Sequence, residues 1–251
     1  SDQLAIHGDL HSHDGKKIPF IAVPTTSGTG SEATKNAVIS RVGKDGFKKS
    51  LRHDRFVPDI AIIDPELTLS CPSKTTAACG MDALTQLLES LVSTQGSPMT
   101  ESLAFGALGQ LGDALITAAV KDPHDIDARI KISYASYISG LTLANAGLGV
   151  IHGVASVLGG LFKIPHGVIC GTLLSEATRH TIEALVSMDP NSPALHKYAR
   201  AARLLNPSGA SEDPVKGSMD LIALLTQWTA QLDMPNLGSY GVEPEDINRI
   251  V

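Results

Sequence analysis

Aromatic residues are scarce in this chain, 4% of its 251 positions with a single Trp. So thin a set gives no platform on which successive bases of a single strand could stack. Positive charge is short as well: 20 Lys and Arg against 26 Asp and Glu leave a net charge of -6, which argues against a phosphate-backbone binder. Cysteine is rarer still. Cys71, Cys79 and Cys170 are odd in number and lack C-x-x-C spacing, so no disulfide framework is expected and they read as reduced thiols of a cytoplasmic protein. No run approaches about 18 apolar residues, and the opening SDQLAIHGDLHSHDG has no signal-peptide core. Neither nucleic acid nor a membrane is expected as a partner.

What remains is a globular profile, 43% hydrophobic and 18% charged, long enough to bury a core without metals or disulfides. Strand signals are confined to the start. Ile18–Pro24 is a short apolar run stopped by Pro, Ile39–Val42 alternates, and Asp59–Asp64 is bounded by Pro58 and Pro65. Between the first two lies TTSGTGSE, whose Ser31 is placed to cap a helix or turn. After Pro65 seven segments carry helical periodicity, with a further helix expected at the chain's last residues. The expected organisation is a small α/β segment over 1–66 and an all-helical domain over 67–251, a mainly α fold. Three short strands make a meagre sheet, since a typical one has about five or six, so it needs completion from elsewhere.

Three features could carry chemistry. The loop PTTSGTGSE follows a strand, where backbone N–H groups and hydroxyls can meet nucleotide phosphates. It is neither a Walker A nor a G-x-G-x-x-G, and an ordinary tight turn explains the spacing equally well. His152 and His166 stand in an apolar, Gly-rich stretch, each followed by Gly. His166 after Pro165 belongs at a turn or helix start, and His152 on a helix. With the carboxylate of Asp82 they would form a divalent-metal donor set, although a hydrogen-bonded core His accounts for either one alone. Asp82 opens an otherwise apolar helix, with Gln86 one turn on along the same face. The cluster His7, His11 and His13 reads as a solvated terminus. No G-x-S-x-G elbow supports a serine nucleophile.

Three stretches in order, IPFIAVPTTSGTGSEAT, PDIAIIDPELTLSCPSKTTAACGMDALTQLLES and LANAGLGVIHGVASVLGGLFKIPHGVICGTLL, closely resemble the iron-containing (group III) alcohol dehydrogenase family, related to glycerol dehydrogenase and dehydroquinate synthase. The resemblance implies an α/β domain for NAD or NADP, a dehydroquinate-synthase-like helical domain, and an iron or zinc ion in the cleft between them. It implies an oxidoreductase that interconverts an alcohol and an aldehyde or ketone, with a small-molecule substrate; a homodimer is expected from the open edge of the undersized sheet. By the same resemblance Asp82, His152 and His166 match metal ligands, and Thr25, Thr26 and Thr29 match the loop lining the dinucleotide. Lys48 matches a lysine near the nucleotide, with Lys49 close behind.

This chain departs from the family at three places. Gln86 stands where a fourth His ligand is usual, an amide oxygen being a weaker ligand, so Gln86 is expected as a fourth ligand or as a hydrogen-bond partner of Asp82. Ser156 replaces a His of the proton relay and is expected to line the substrate cleft; it does not titrate near neutral pH. The family's Gly-Gly-Gly-Ser pyrophosphate loop has no counterpart. A keto-acid reductase, such as one acting on maleylacetate, and a non-catalytic domain acting by association are the alternative expectations.

Overall fold

The computed structural model describes residues 16–250 and, before them, only the backbone of strands β1 (Gln3–Leu4) and β2 (His11–Ser12). His7 and His13 lie outside the described residues, and His11 is described only as backbone. Among the described residues the strands form three separate two-stranded ladders. β1 pairs antiparallel with β2. β3 (Ile21–Ala22) runs parallel to β6 (Ile60–Ala61), in the two apolar runs stopped by prolines. Ile21 and Ile60 are register partners, and both side chains are exposed, as are Phe20, Val23 and Ile62 around them.

The alternating run at Ile39–Val42 belongs to β4 (Asn36–Arg41), whose antiparallel partner is β5 (Phe47–Arg52). The sequence reading had no strand at β5. Its residues, FKKSLR, are mostly polar and lie on an exposed ribbon, where burial imposes no apolar period of two. Ser31 opens a short 3-10 turn at Ser31–Ala33, but Gly30, at φ +58°, takes the cap position and no side chain caps the turn.

From Ser73 onward the chain is helical. The helices are α1 (Ser73–Val92), α2 (Pro98–Ile116), α3 (Ile126–Ala146), α4 (Val150–Leu161), α5 (His166–Met188), α6 (Pro193–Leu205), α7 (Pro214–Gln231) and the short α8 (Ile247–Ile250). The mainly α class read from periodicity is therefore the class observed. α1 is the central rod. It is buried from Gly80 through Leu91, with α2, α3, α5 and α6 against it. Met81, Leu84, Leu87, Leu88 and Leu91 form much of the core, each contributing about 1.5–3 kcal/mol by leaving water. A central helix of this kind has no solvent face, so its polar residues Asp82, Gln86 and Glu89 must find partners inside the protein.

Among the described residues one unbroken helical stretch, Pro98–Lys121, is long and apolar enough to cross a membrane, yet 61% of that window is buried within the bundle. Its length and composition follow from packing against α1, α3 and α6.

Candidate metal centre

Three helices bring the site together, and glycine sets how closely they approach. α5 starts at His166, directly after Pro165, whose extended backbone fits the residue before a helix. A Cβ at Gly167 would stand 2.3 Å from the carbonyl oxygen of Ala78, and one at Gly171 would stand 2.8 Å from Met81 Cβ. Only glycine at these two positions, one turn apart, lets α5 lie this close to α1. His166 and Cys170, also one turn apart, are thereby carried to the level of Asp82. α4 contributes His152 from its first turn.

The donor atoms converge. His152 Nε2 lies 3.2 Å from Asp82 Oδ1, and His166 Nε2 lies 3.8 Å from the same oxygen. Cys170 Sγ is 3.7 Å from His152 Nε2 and 3.8 Å from His166 Nε2. The four donors of Asp82, His152, His166 and Cys170 all lie within 4.8 Å of one another. Two imidazoles and a carboxylate make a donor set suited to iron or zinc. Asp82 is 2% exposed, so water does little to solvate its charge. His166 Nδ1, the ring nitrogen away from the cluster, is buried with no hydrogen-bond partner among the described residues. The residues present fit a divalent metal.

Glu89 holds His152 in place. It stands two turns beyond Asp82 on α1, its Oε2 lies 2.6 Å from His152 Nδ1, and its Oε1 accepts the backbone N–H of Ile151 at 2.7 Å. This is the carboxylate–histidine pairing that fixes a ligand's tautomer and ring orientation. Burial opposes charge on His152, but hydrogen bonds to Asp82, Cys170 and Glu89 outweigh it and push the ring up to about 12. Burial would raise the Asp82 carboxyl, yet His152 and the charge of His166 hold it below its ordinary value. His166 itself is lowered, chiefly by burial, with Lys48 and His152 adding to the effect against the pull of Asp82. Burial, with the Asp82 charge behind it, pushes the Cys170 thiol up to about 11.

Gln86 has a different engagement. Its Oε1 accepts a hydrogen bond from Ser139 Oγ on α3 at 3.0 Å, so its partner is Ser139 and not the Asp82 carboxylate. Ser156 is exposed on α4 and donates to the backbone carbonyl of His152 at 3.0 Å.

The small-residue loop is pinned to the same helices. Ser27 Oγ meets Ser133 Oγ on α3 at 2.9 Å, and Gly28 packs on Cys79 of α1. A Cβ at Gly30 would stand 2.3 Å from the carbonyl oxygen of Ser136, where the loop crosses α3 at Gly140. Ser27, Gly28 and Gly30 are buried by this docking, which leaves Thr25, Thr26 and Thr29 exposed. Lys48 reaches the centre from β5. Gly159 and Gly160 of α4 admit the hairpin: the Lys48 stem passes where a Gly159 Cβ would be, and Phe47 backbone where a Gly160 Cβ would be. Burial lowers the Lys48 ammonium, and the charges of Cys170 and Asp82 partly restore it. Lys49 on the same strand is exposed.

The sequence reading therefore reached Asp82, His152 and His166, which come together, and missed Glu89 and Cys170. Their signals were present as spacings: Glu89 seven residues after Asp82, and Cys170 four after His166, both same-face intervals on a helix.

Among the described residues, short two-stranded ladders precede a helical bundle that carries a convergent donor cluster. The chain belongs to the iron-containing alcohol dehydrogenase family. The family model described as Fe-containing alcohol dehydrogenase family, C-terminal, matches residues 76–251, and that described as iron-containing alcohol dehydrogenase matches 3–65. Long-chain-alcohol dehydrogenase 1 of Geobacillus thermodenitrificans is 35% identical over 246 residues, covering 96% of this chain and 58% of that protein. A solved 1,3-propanediol oxidoreductase superposes with a TM-score of 0.82 at 31% identity, over 92% of this chain and 58% of its own. Sulfoacetaldehyde reductase from Bifidobacterium kashiwanohense, solved in complex with NAD+, gives 0.77 at 30% identity, over 98% of this chain and 60% of its own. The chain thus spans about 58–60% of the length of these relatives.

Proposed function

We propose that this chain carries the metal-binding and substrate-facing part of an oxidoreductase that interconverts an alcohol and an aldehyde or ketone with NAD or NADP. The observation that supports it most is the convergence of Asp82, His152 and His166 from three helices on one buried point. When bound there, a divalent ion, iron or zinc, supplies Lewis acidity toward the oxygen of the alcohol or carbonyl. Asp82 would neutralise part of its charge, and both imidazoles would present Nε2 to it. Glu89 would hold His152 through Nδ1 so that the ring stays aimed. Thr25, Thr26 and Thr29, exposed on a docked loop, would line the dinucleotide, and Lys48, packed on Gly159 of α4, would bring a positive charge to it. Ser156 would contribute a hydroxyl to the cleft and no titrating proton. A cytoplasmic setting suits three free thiols, and a homodimer is the assembly proposed.

Metal analysis of the purified chain tests the assignment. About one equivalent is expected, falling to background in Asp82→Asn and His152→Ala; equal metal in wild type and both variants overturns it. A second reading, a keto-acid reductase, draws on Gln86 and Ser156 standing where the resemblance expects imidazoles. A panel of aldehydes, ketones and keto acids with NADH and NADPH separates the two, the first being favoured by the alcohol-acting relatives.

A further inference from the structure

The centre has a fourth donor that the resemblance did not supply. Gln86, at the place of the missing imidazole, is turned to Ser139 on α3, whereas Cys170 on α5 points its sulfur at both histidines. Resting on the metal-centre reading, we propose that Cys170 is a direct metal ligand, making the donor set one carboxylate, two imidazoles and one thiolate, with zinc preferred over iron.

Distances support this. A tetrahedral ion with nitrogen and oxygen at about 2.0–2.1 Å and sulfur at about 2.3 Å has ligand–ligand edges of roughly 3.3–3.6 Å. The observed edges are 3.2 Å for Asp82 to His152, 3.8 Å for Asp82 to His166, and 3.7 and 3.8 Å from Cys170 to the two rings. The two sulfur edges to the rings match the 3.8 Å from Asp82 to His166, and all four donor atoms lie within 4.8 Å of one another. Cys170 is fully buried and held by the same α1–α5 approach that positions His166, so no rearrangement of the backbone is needed. A sulfur–metal bond forms as the thiol proton leaves to solvent, and the thiolate and Asp82 together balance a divalent charge. Thiolate is the softer donor and favours zinc, where an all-nitrogen-and-oxygen set accepts iron more readily.

X-ray absorption at the zinc edge on the zinc-loaded chain reads the first shell directly. One sulfur at about 2.3 Å is expected, absent in Cys170→Ser with nitrogen and oxygen scatterers retained. Competition with ferrous ion is expected to favour zinc in wild type and to narrow that bias in Cys170→Ser. A wild-type shell of nitrogen and oxygen alone overturns the role of Cys170 while leaving the site at Asp82, His152 and His166 standing. Wild type that retains no more zinc than Asp82→Asn overturns both readings. Should Cys170→Ser fold poorly, the wild-type spectrum decides alone, with Cys170→Ala as the second control.

Discussion

Glu89 and His152 show how one buried side chain commits another. With Glu89 beside Nδ1 and Asp82 beside Nε2, the ring is held between two carboxylates, which favour its protonated form. Removing the charge at Glu89 should loosen the ring and weaken the ion's hold. Glu89→Gln is expected to reduce metal affinity about 10–100-fold with the helical fold intact, measured by competition with a chelating dye and by circular dichroism. The same ring gives a pH dependence. Its folded pKa, raised from 6.5 to about 12, means that its contribution to the metal-free fold is full below 6.5 and is lost as pH rises toward 12. Asp82, lowered from 3.8, contributes above 3.8 and loses that contribution as pH falls through its folded value. Thermal melts in chelator should therefore weaken from pH 6.5 upward. With metal present the trend should flatten or reverse, because deprotonated ligands bind more tightly. Melts that decline equally with and without metal would count against the site.

At the scale of elements, the crossing of α1 and α5 decides whether a centre exists. Gly167→Ala places a methyl 2.3 Å from the Ala78 carbonyl, so the helices must separate. A loss of about 1–3 kcal/mol is expected in denaturant titration, with metal binding lost more steeply than stability. A second joint lies at the same end of α1, at its first turn. Arg129 of α3, 1% exposed, donates to Thr76 Oγ1 on α1 and to the carbonyls of Pro123, Cys71 and Ala118. Arg129→Met keeps the stem but orphans these acceptors, and about 2–3 kcal/mol should go, read as a lower Tm at unchanged metal stoichiometry. The helices themselves were plain in the sequence, α2 to α7 because each buries a side, and α1 because its apolar positions recur at helical spacing over a length no strand reaches. Their crossings were not. Gly167 reads as an ordinary glycine until Ala78 is seen behind it. Cys170 and Glu89 gain meaning only through residues on other helices. The β4–β5 hairpin was half legible for the converse reason, since an exposed ribbon owes nothing to a core.

Over the whole molecule, a well-packed helical bundle is joined to strands whose apolar residues face outward. Ile21 and Ile60 sit side by side and exposed, with Phe20, Val23 and Ile62 near them. Apolar patches of this kind associate. Sedimentation velocity of this chain should show species that grow with concentration, and Ile21→Lys with Ile60→Lys should suppress them without moving the Tm of the bundle. A monomer at every concentration would show that these side chains find cover within the chain. The family and its metal-centre motifs were legible because they lie in short ordered runs. The separateness of the three ladders was not, because pairing depends on which strands meet.

The order in which the donors occur along the chain carries its own consequence. Asp82 and His152 are 70 positions apart, and His166 and Cys170 come later still. A ribosome delivers them one after another, so no intermediate length of nascent chain owns a complete set. An ion held at the proposed centre would be taken up only after α5 has emerged and docked, from whatever the surroundings then offer. Which metal a given batch contained would then record the supply at the moment of maturation as well as the preference of the site.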